Sequence, residues 1–269
     1  MSQSAGISQT SRAELSQVVR GRRFVTPSDA GVALGVDDRV AARKLARWAE
    51  AGWMRRVRRG LYIPVPVDVE NPGSWAEDAM VVATTVWEPC YFTGWTAANH
   101  WGLTEQTFRT VVLKTTVRVR HASVEILNRN YLVTHVPSAE LAWGLTTIWY
   151  DDVRLRIADP ARTVIDVLDM PKLGGGIRHS ADILIAYLAE HDPSRLVDYA
   201  ERLNNRAVYK RLGYLLEQLG RAESALIEAS QTRISSGISL LDPDGPETGE
   251  RNARWRLRVN ARISKEDAS

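Results

Sequence analysis

A single cysteine, Cys90, is all this 269-residue chain contains. It can form no intrachain disulfide and no multi-cysteine zinc site, and its apolar neighbours mark it as an inert core thiol rather than a nucleophile. The chain also lacks a long hydrophobic run. Its most apolar stretch, Met80 to Trp87, is far too short to span a bilayer, and the start, MSQSAGISQTSRAE, has no apolar signal-peptide core. A cytoplasmic protein without membrane association is expected. Histidine is sparse as well. His100, His121, His135, His179 and His191 never pair on one helix face, no H-E-x-x-H occurs, and the expected cofactor and metal complement is none. No G-x-S-x-G elbow activates a serine, and no P-loop spacing follows the one glycine run.

Net charge is low too, at +3, but it is unevenly placed. From Arg20 to Arg59 there are eleven basic side chains against four acidic ones, a surplus of +7 that leaves −4 for the rest. One end of the chain attracts polyanions. The centre of that end is Asp37 to Pro64, DDRVAARKLARWAEAGWMRRVRRGLYIP. Asp37 and Asp38 suit a helix start and Gly52 a helix stop. At about 100° per residue, Arg39, Arg43, Lys44 and Arg47 share one arc, and Ala41, Leu45, Trp48 and Ala49 the opposite one. Arg55, Arg56, Arg58 and Arg59 then surround Gly60 between β-prone residues, which predicts a hairpin.

Upstream, a helix is expected from Ser11 to about Arg20. Thr26-Pro27-Ser28-Asp29 supplies a cap and a first-turn proline for a second helix, and Gly35 a turn before the third. Three helices followed by a basic hairpin spell a winged helix-turn-helix, whose last helix enters the major groove while the wing holds the backbone or minor groove. A solvated charged helix beside an exposed loop is the plainer alternative. On the DNA-binding reading, Arg39, Arg43 and Lys44 face base edges, with Val40 against a thymine methyl. Arg47, Thr26 and Ser28 face phosphates, and Arg55, Arg56, Arg58 and Arg59 make the wing contacts.

The expected organisation is a disordered tail over residues 1–10, the winged domain over 11–66, a proline-rich linker over 67–73, and a second domain over 74–269. The second domain opens with a helix from Trp75 to Trp87 capped by Ser74. Strands are expected over Thr107–Val119, Val124–Leu127 and Tyr131–Val136, with a hairpin of Leu145–Tyr150 and Val153–Ile157. After Asp159-Pro160 and its helix, the chain turns helical over Ile177–Glu190, Pro193–Leu203, Arg206–Leu219 and Ala222–Ile234. A final strand is expected from Asn252 to Ile263. The fold class is therefore α+β, with antiparallel hairpins dominating the sheet.

Two further sets of residues are candidates for a partner or an anion. Gly175, Gly176 and Arg178 lie where helix-start amides could hold a phosphate, although a flexible turn explains the glycines as well. Arg206, Lys210 and Arg211, with Arg202, make a second basic cluster or a solvated face. A nuclease metal would need separated acids with a lysine close by, and Glu125, Asp151 and Asp152 have no lysine at useful spacing.

Four stretches resemble, in order, the AbiEi-type antitoxins of bacterial type IV toxin–antitoxin operons. They are Gly52 to Tyr62 (GWMRRVRRGLY), Thr93 to Ala98 (TGWTAA) with Trp101 to Gln106 (WGLTEQ), Asp159 to Asp166 (DPARTVID) and Arg254 to Asn260 (RWRLRVN). The resemblance implies a transcriptional repressor whose winged helix binds inverted repeats in its own promoter, and a C-terminal domain that opposes a nucleotidyltransferase toxin, directly or indirectly. It implies no catalytic activity, and it is compatible with a monomer in solution that pairs on double-stranded DNA. Arg162, inside the third motif, joins the candidate partner contacts. The chain departs from the pattern at Ala161, where the resemblance implies an acidic residue. A ligand-responsive winged-helix regulator and a winged-helix-targeted nuclease are the other open classes.

Overall fold

Local capping sets the first elements of the computed structural model, which describes residues 8–66, 68–69, 71, 73–221 and 223–263. Helix α1 (Gln9–Val19) starts at Ser8, whose hydroxyl accepts from the Ser11 amide. Helix α2 (Pro27–Leu34) opens on a capping box between Thr26 and Asp29, with proline in its first turn. Gly35, at φ +66°, closes α2 in the left-handed conformation that glycine adopts without penalty. Asp37 caps α3 (Asp38–Glu50) through a 2.9 Å bond from the Val40 amide. Strands β1 (Met54–Arg58) and β2 (Leu61–Pro64) form the hairpin, with an irregular register between Arg56 and Arg58. Val25 bridges antiparallel to Tyr62 and so gives the hairpin a third, one-residue strand.

The chain divides into two compact units, residues 1–82 with 125–130 and residues 83–124 with 131–269. In the first unit Val18, Val25, Ala30, Ala41, Leu45, Trp48, Met54 and Tyr62 are buried together. Each large side chain so buried contributes about 1.5–3 kcal/mol. The Trp48 indole N–H is satisfied by Ser11 Oγ at 2.9 Å, which ties α3 to α1.

Helix α4 (Ala79–Trp87) begins later than the sequence suggests. The cap is Asp78, whose Oδ1 accepts from the Met80 and Val81 amides, whereas Ser74 turns back to the Asn71 carbonyl. Strand β3 (Cys90–Phe92), helix α5 (Gly94–His100) and β4 (Thr110–Thr115) follow. The strand expected over Thr107–Val119 is thus confined to its centre. The hairpin of β5 (Ser123–Ile126) and β6 (Arg129–His135) turns on Leu127 and Asn128, both at positive φ. The hairpin of β7 (Leu145–Tyr150) and β8 (Val153–Ala158) forms as the sequence predicts.

These six strands make one sheet in the order β5-β6-β4-β3-β8-β7, antiparallel at β3–β4 and β7–β8 and parallel at β3–β8. Helix α6 (Pro160–Asp169), capped by Asp159, has every residue from Ala161 to Leu168 buried. Around it lie α7 (Ile177–Glu190), α8 (Ser194–Leu203) and α9 (Arg206–Gln218), with α10 (Ser224–Gln231) packed against α9 and α8. Mixed sheet and helices make the fold α+β.

The C-terminal strand is corrected. Instead of one strand from Asn252 to Ile263, the chain forms β10 (Glu250–Asn252) and β11 (Leu257–Val259), antiparallel, with β9 (Ser239–Leu240) parallel to β11. The Asn252 side chain accepts from the Trp255 amide, and Arg256 takes φ +50°, so the turn forms without glycine or proline. Among the described residues, no helix is long and apolar enough to cross a membrane.

Candidate nucleic-acid interface

The turn between α2 and α3 requires a close backbone approach. A Cβ at Gly31 would lie 2.9 Å from the Val36 carbonyl oxygen and 3.1 Å from Asp38 Oδ1. From there α3 presents two faces. Ala41, Leu45 and Trp48 are buried, while Arg39, Arg43 and Arg47 are exposed at four-residue steps, each rising about 6 Å along the axis. Val40 is partly buried on the first turn. Lys44 is committed elsewhere, for its ammonium pairs with Glu14 of α1 at 2.7 Å.

Thr26 is likewise occupied. Its hydroxyl donates to Asp29 Oδ2 at 2.6 Å, and its own amide donates to the same oxygen at 2.8 Å. These bonds hold the Asp29 carboxyl below its ordinary range, with the side-chain hydrogen bond the larger cause. Ser28 is exposed beside them. On the wing, Arg56, Arg58 and Arg59 are exposed around Gly60, at φ +77°. Arg55 points the other way and donates to the Trp75 carbonyl, and burial lowers its pKa.

One unit thus holds two exposed arginine sets, Arg39, Arg43 and Arg47 on α3 and Arg56, Arg58 and Arg59 on the hairpin, while Lys44 is engaged by Glu14 and Arg55 by the Trp75 carbonyl. This arrangement suits a polyanion with a groove, because the helix ridge can enter while the hairpin follows phosphates.

In the second unit the remaining candidates do not form one patch. Gly175 and Gly176 have φ +86° and +100°, and the Ile177 amide that opens α7 donates to Asp242 Oδ2 at 3.2 Å. A carboxylate of the chain itself therefore holds one of the amides considered for an anion. Arg178 is exposed, and its Nε donates to the Arg262 carbonyl. Arg206 pairs with Glu201 at 3.2 Å. Lys210 is buried and donates to the Gly237 carbonyl at 2.5 Å. Arg211, also buried, donates to the Leu168 and Asp169 carbonyls at the end of α6 and to those of Leu240 and Leu241. It caps the free carbonyls that a helix end leaves.

Arg162 has no exposed side-chain surface. It belongs to a buried ionic cluster that sequence reasoning missed. Its Nε meets Asp166 Oδ1 at 2.9 Å, Lys114 Nζ meets the same oxygen at 2.9 Å, and Glu140 meets Arg162 Nη2 at 2.8 Å. Thr93 and Tyr91 donate hydroxyls to Asp166 Oδ2, and the guanidinium lies 3.3 Å from the centre of the Trp143 ring. Two signals were available: a lysine inside the apolar strand VVLKT, and Arg162 and Asp166 one turn apart. Cys90 is buried, and its thiol is pushed up to about 12, by burial first and Glu88 next. Among the described residues, no group of three His, Cys, Asp or Glu side chains is placed to hold a metal ion.

Three helices, a tight turn before the third, and a two-stranded wing define the first unit as a winged helix-turn-helix. Residues 14–65, from α1 through β2, match the family model described as "Transcriptional regulator, AbiEi antitoxin", so the resemblance to that family holds on this segment. The RV2827C protein from Mycobacterium tuberculosis shares the fold, with a TM-score of 0.63 over 94% of this chain and 92% of that one, at 16% identity. Among curated proteins no relative matches this chain.

Proposed function

We propose that this chain is a DNA-binding antitoxin that represses its own toxin–antitoxin operon by binding repeats in the promoter. Its second unit counteracts a cognate nucleotidyltransferase toxin, and the chain carries out no catalysis of its own. The observation that carries the reading is the α3 ridge Arg39, Arg43 and Arg47 beside the wing arginines, inside the segment that matches the family model. Arg39 and Arg43 read base edges with Val40, while Arg47, Ser28 and the wing residues Arg56, Arg58 and Arg59 hold phosphates. Lys44, Thr26 and Arg55 position these elements through the bonds described above. The test is a gel shift of the full chain on its own upstream DNA at two salt concentrations. Binding that resists scrambled competitor and weakens steeply with salt is expected. Equal binding to scrambled DNA would end the repressor reading.

A ligand-responsive regulator is the second reading, and one feature favours it. A groove of about 560 Å³ in the first unit is lined by Leu15, Val19, Trp53 and Val65, and the buried Trp53 indole N–H there has no partner among the described residues. Small apolar acceptors that raise the melting temperature and release DNA would support it.

A further inference from the structure

The two edges of the six-stranded sheet differ in how they are protected. At one end β5 is only four residues long and carries Glu125, and Arg129 opens the strand beside it. Short strands and charges keep a sheet edge from pairing with another chain. At the other end β7 has neither. Its sequence, LTTIWY, holds no charge, proline or glycine, and it pairs with β8 over all six residues without a bulge. Among the described residues β8 is the one strand beside it. Trp149 and Tyr150 are 67% and 43% exposed there, and Thr146 and Thr147 are exposed as well.

Hydrogen-bond alternation decides which main-chain groups of β7 face outward. The Asp159 amide donates to the Gly144 carbonyl at 2.9 Å, and this pair continues the register of β7 with β8. Bonded and unbonded pairs alternate along an antiparallel ladder. Thr146, Ile148 and Tyr150 therefore bond β8, while Leu145, Thr147 and Trp149 turn their amides and carbonyls to the open side. An antiparallel strand centred on Thr147 can meet all of these groups. A second β7 is such a strand, because a two-fold axis at Thr147 maps the edge onto itself. Thr147 then lies opposite Thr147 of the other copy, and Trp149 opposite Leu145. Tyr150 lies opposite Gly144, where no side chain obstructs the ring.

Charge favours the same occupant. Asp151 and Asp152 form the turn after β7, and in this register they come beside Trp143 of the other copy. Trp143 packs edge-on against Tyr199, and the exposed Arg202 lies 5.8 Å from the centre of the Tyr199 ring. Each acidic turn thus approaches a basic side chain of the other copy.

We propose that β7 is a self-association edge, at which two copies of this chain pair β7 with β7 antiparallel about Thr147 and join their sheets into one. Main-chain bonds supply the affinity, and the Thr147–Thr147 and Trp149–Leu145 pairs set the register. A six-residue edge falls short of the roughly 800 Å² per partner of a standard stable interface, so the dimer is weak, with a micromolar dissociation constant. The pairing stands independently of the DNA-binding reading above.

The test is sedimentation equilibrium of the full chain without DNA, from about 1 to about 200 µM, a range that spans a micromolar dissociation constant. The wild type should rise from the mass of one chain toward that of two. Thr147→Lys and Thr147→Glu each bring like charges together on the axis, so each alone should dimerise at least about tenfold more weakly. Mixed in equal amounts they should recover the dimer, since opposite charges then meet. Arg156 of β8 stands opposite Thr147, so lysine should lower the melting temperature and glutamate raise it, each by no more than about 4 °C, with both variants folded. A wild type that stays monomeric throughout would overturn the proposal and leave the edge to a strand of another protein. Dimers of either variant alone as tight as the wild type would overturn it too, because the association would then lie on another surface. Loss in both variants without recovery on mixing would overturn the two-fold pairing about Thr147.

Discussion

Arg162 and Asp166 stand one turn apart on α6 and meet at 2.9 Å with neither side chain exposed. Asp166 is also the counter-ion of Lys114, itself 1% exposed. One carboxylate therefore bonds two buried cations, and its removal leaves Arg162 with Glu140 at 2.8 Å and Lys114 with Glu140 and Asp169 at 3.5 and 3.9 Å. Asp166→Ala should destabilise the chain by about 3–5 kcal/mol, the range for breaking a buried pair from one side. Urea unfolding followed by circular dichroism measures it. A loss under about 1 kcal/mol would show that the cluster relaxes into water and does not organise the second unit.

The same group predicts a response to acid. Burial alone would raise the Asp166 carboxyl, but Lys114 and Arg162, with the Thr93 hydroxyl, outweigh it and hold the pKa below 3.8. A depressed folded pKa contributes stability that is present above the unfolded value and is lost as pH falls through the folded one. Asp29, lowered by Thr26, acts in the same direction in the first unit. Stability should therefore hold from neutral pH to about 4 and fall below it. The Asp166→Asn variant should show a shallower fall, read as the change in urea midpoint between pH 5 and pH 3. An unchanged pH dependence would remove Asp166 from the account.

Gly213 on α9 tests the packing of the C-terminal turn. A Cβ at this position would overlap the Trp255 ring, whose indole N–H donates to Glu217 at 2.6 Å. Gly213→Ala improves helix propensity, yet it should destabilise by about 1–3 kcal/mol because the ring has to move. A shifted tryptophan emission should accompany the loss. Unchanged or higher stability would mean that the turn over Ala253–Arg256 yields easily.

What the sequence revealed, and what it hid, follows from where the information lies. Caps and glycines are local, so Thr26-Pro27, Asp37 and Asp159-Pro160 located α2, α3 and α6. Ser74 misled because Asp78 is the better acceptor and lies nearer the apolar run. The turn at Ala253–Arg256 was hidden because Asn252 and a left-handed Arg256 do the work usually given to glycine. Surface and interior arginines cannot be told apart by type. Arg39, Arg43 and Arg47 recur on one helical face opposite buried residues, and that periodicity marks them as exposed. Lys210 and Arg211 sit on a helix buried all round, where their partners are carbonyls distant in sequence. Arg251 and Arg258 face each other only through strand pairing, which alternation within one strand cannot show.

The α3 residues also make a prediction in which neighbours differ sharply. Arg43 and Lys44 are adjacent and both basic, but Arg43 is exposed while Lys44 pairs with Glu14 at 2.7 Å. If α3 lies in the major groove, Arg43→Ala should lose about 1–3 kcal/mol of discrimination between the upstream sequence and a scrambled one. Lys44→Ala should keep that discrimination and lower stability by no more than about 1 kcal/mol, since its pair is partly exposed. Arg59→Ala, at the wing tip, should weaken binding to both duplexes alike and reduce the salt slope by about 0.9. Anisotropy titrations of the three variants on both duplexes separate these roles. Loss of discrimination in Lys44→Ala, with Arg43→Ala unaffected, would rotate the groove-facing side of α3 away from the Arg39–Arg43–Arg47 ridge. Equal behaviour of Arg43→Ala and Arg59→Ala would mean that helix and wing both meet backbone alone, and base reading would then have to come from elsewhere in the chain.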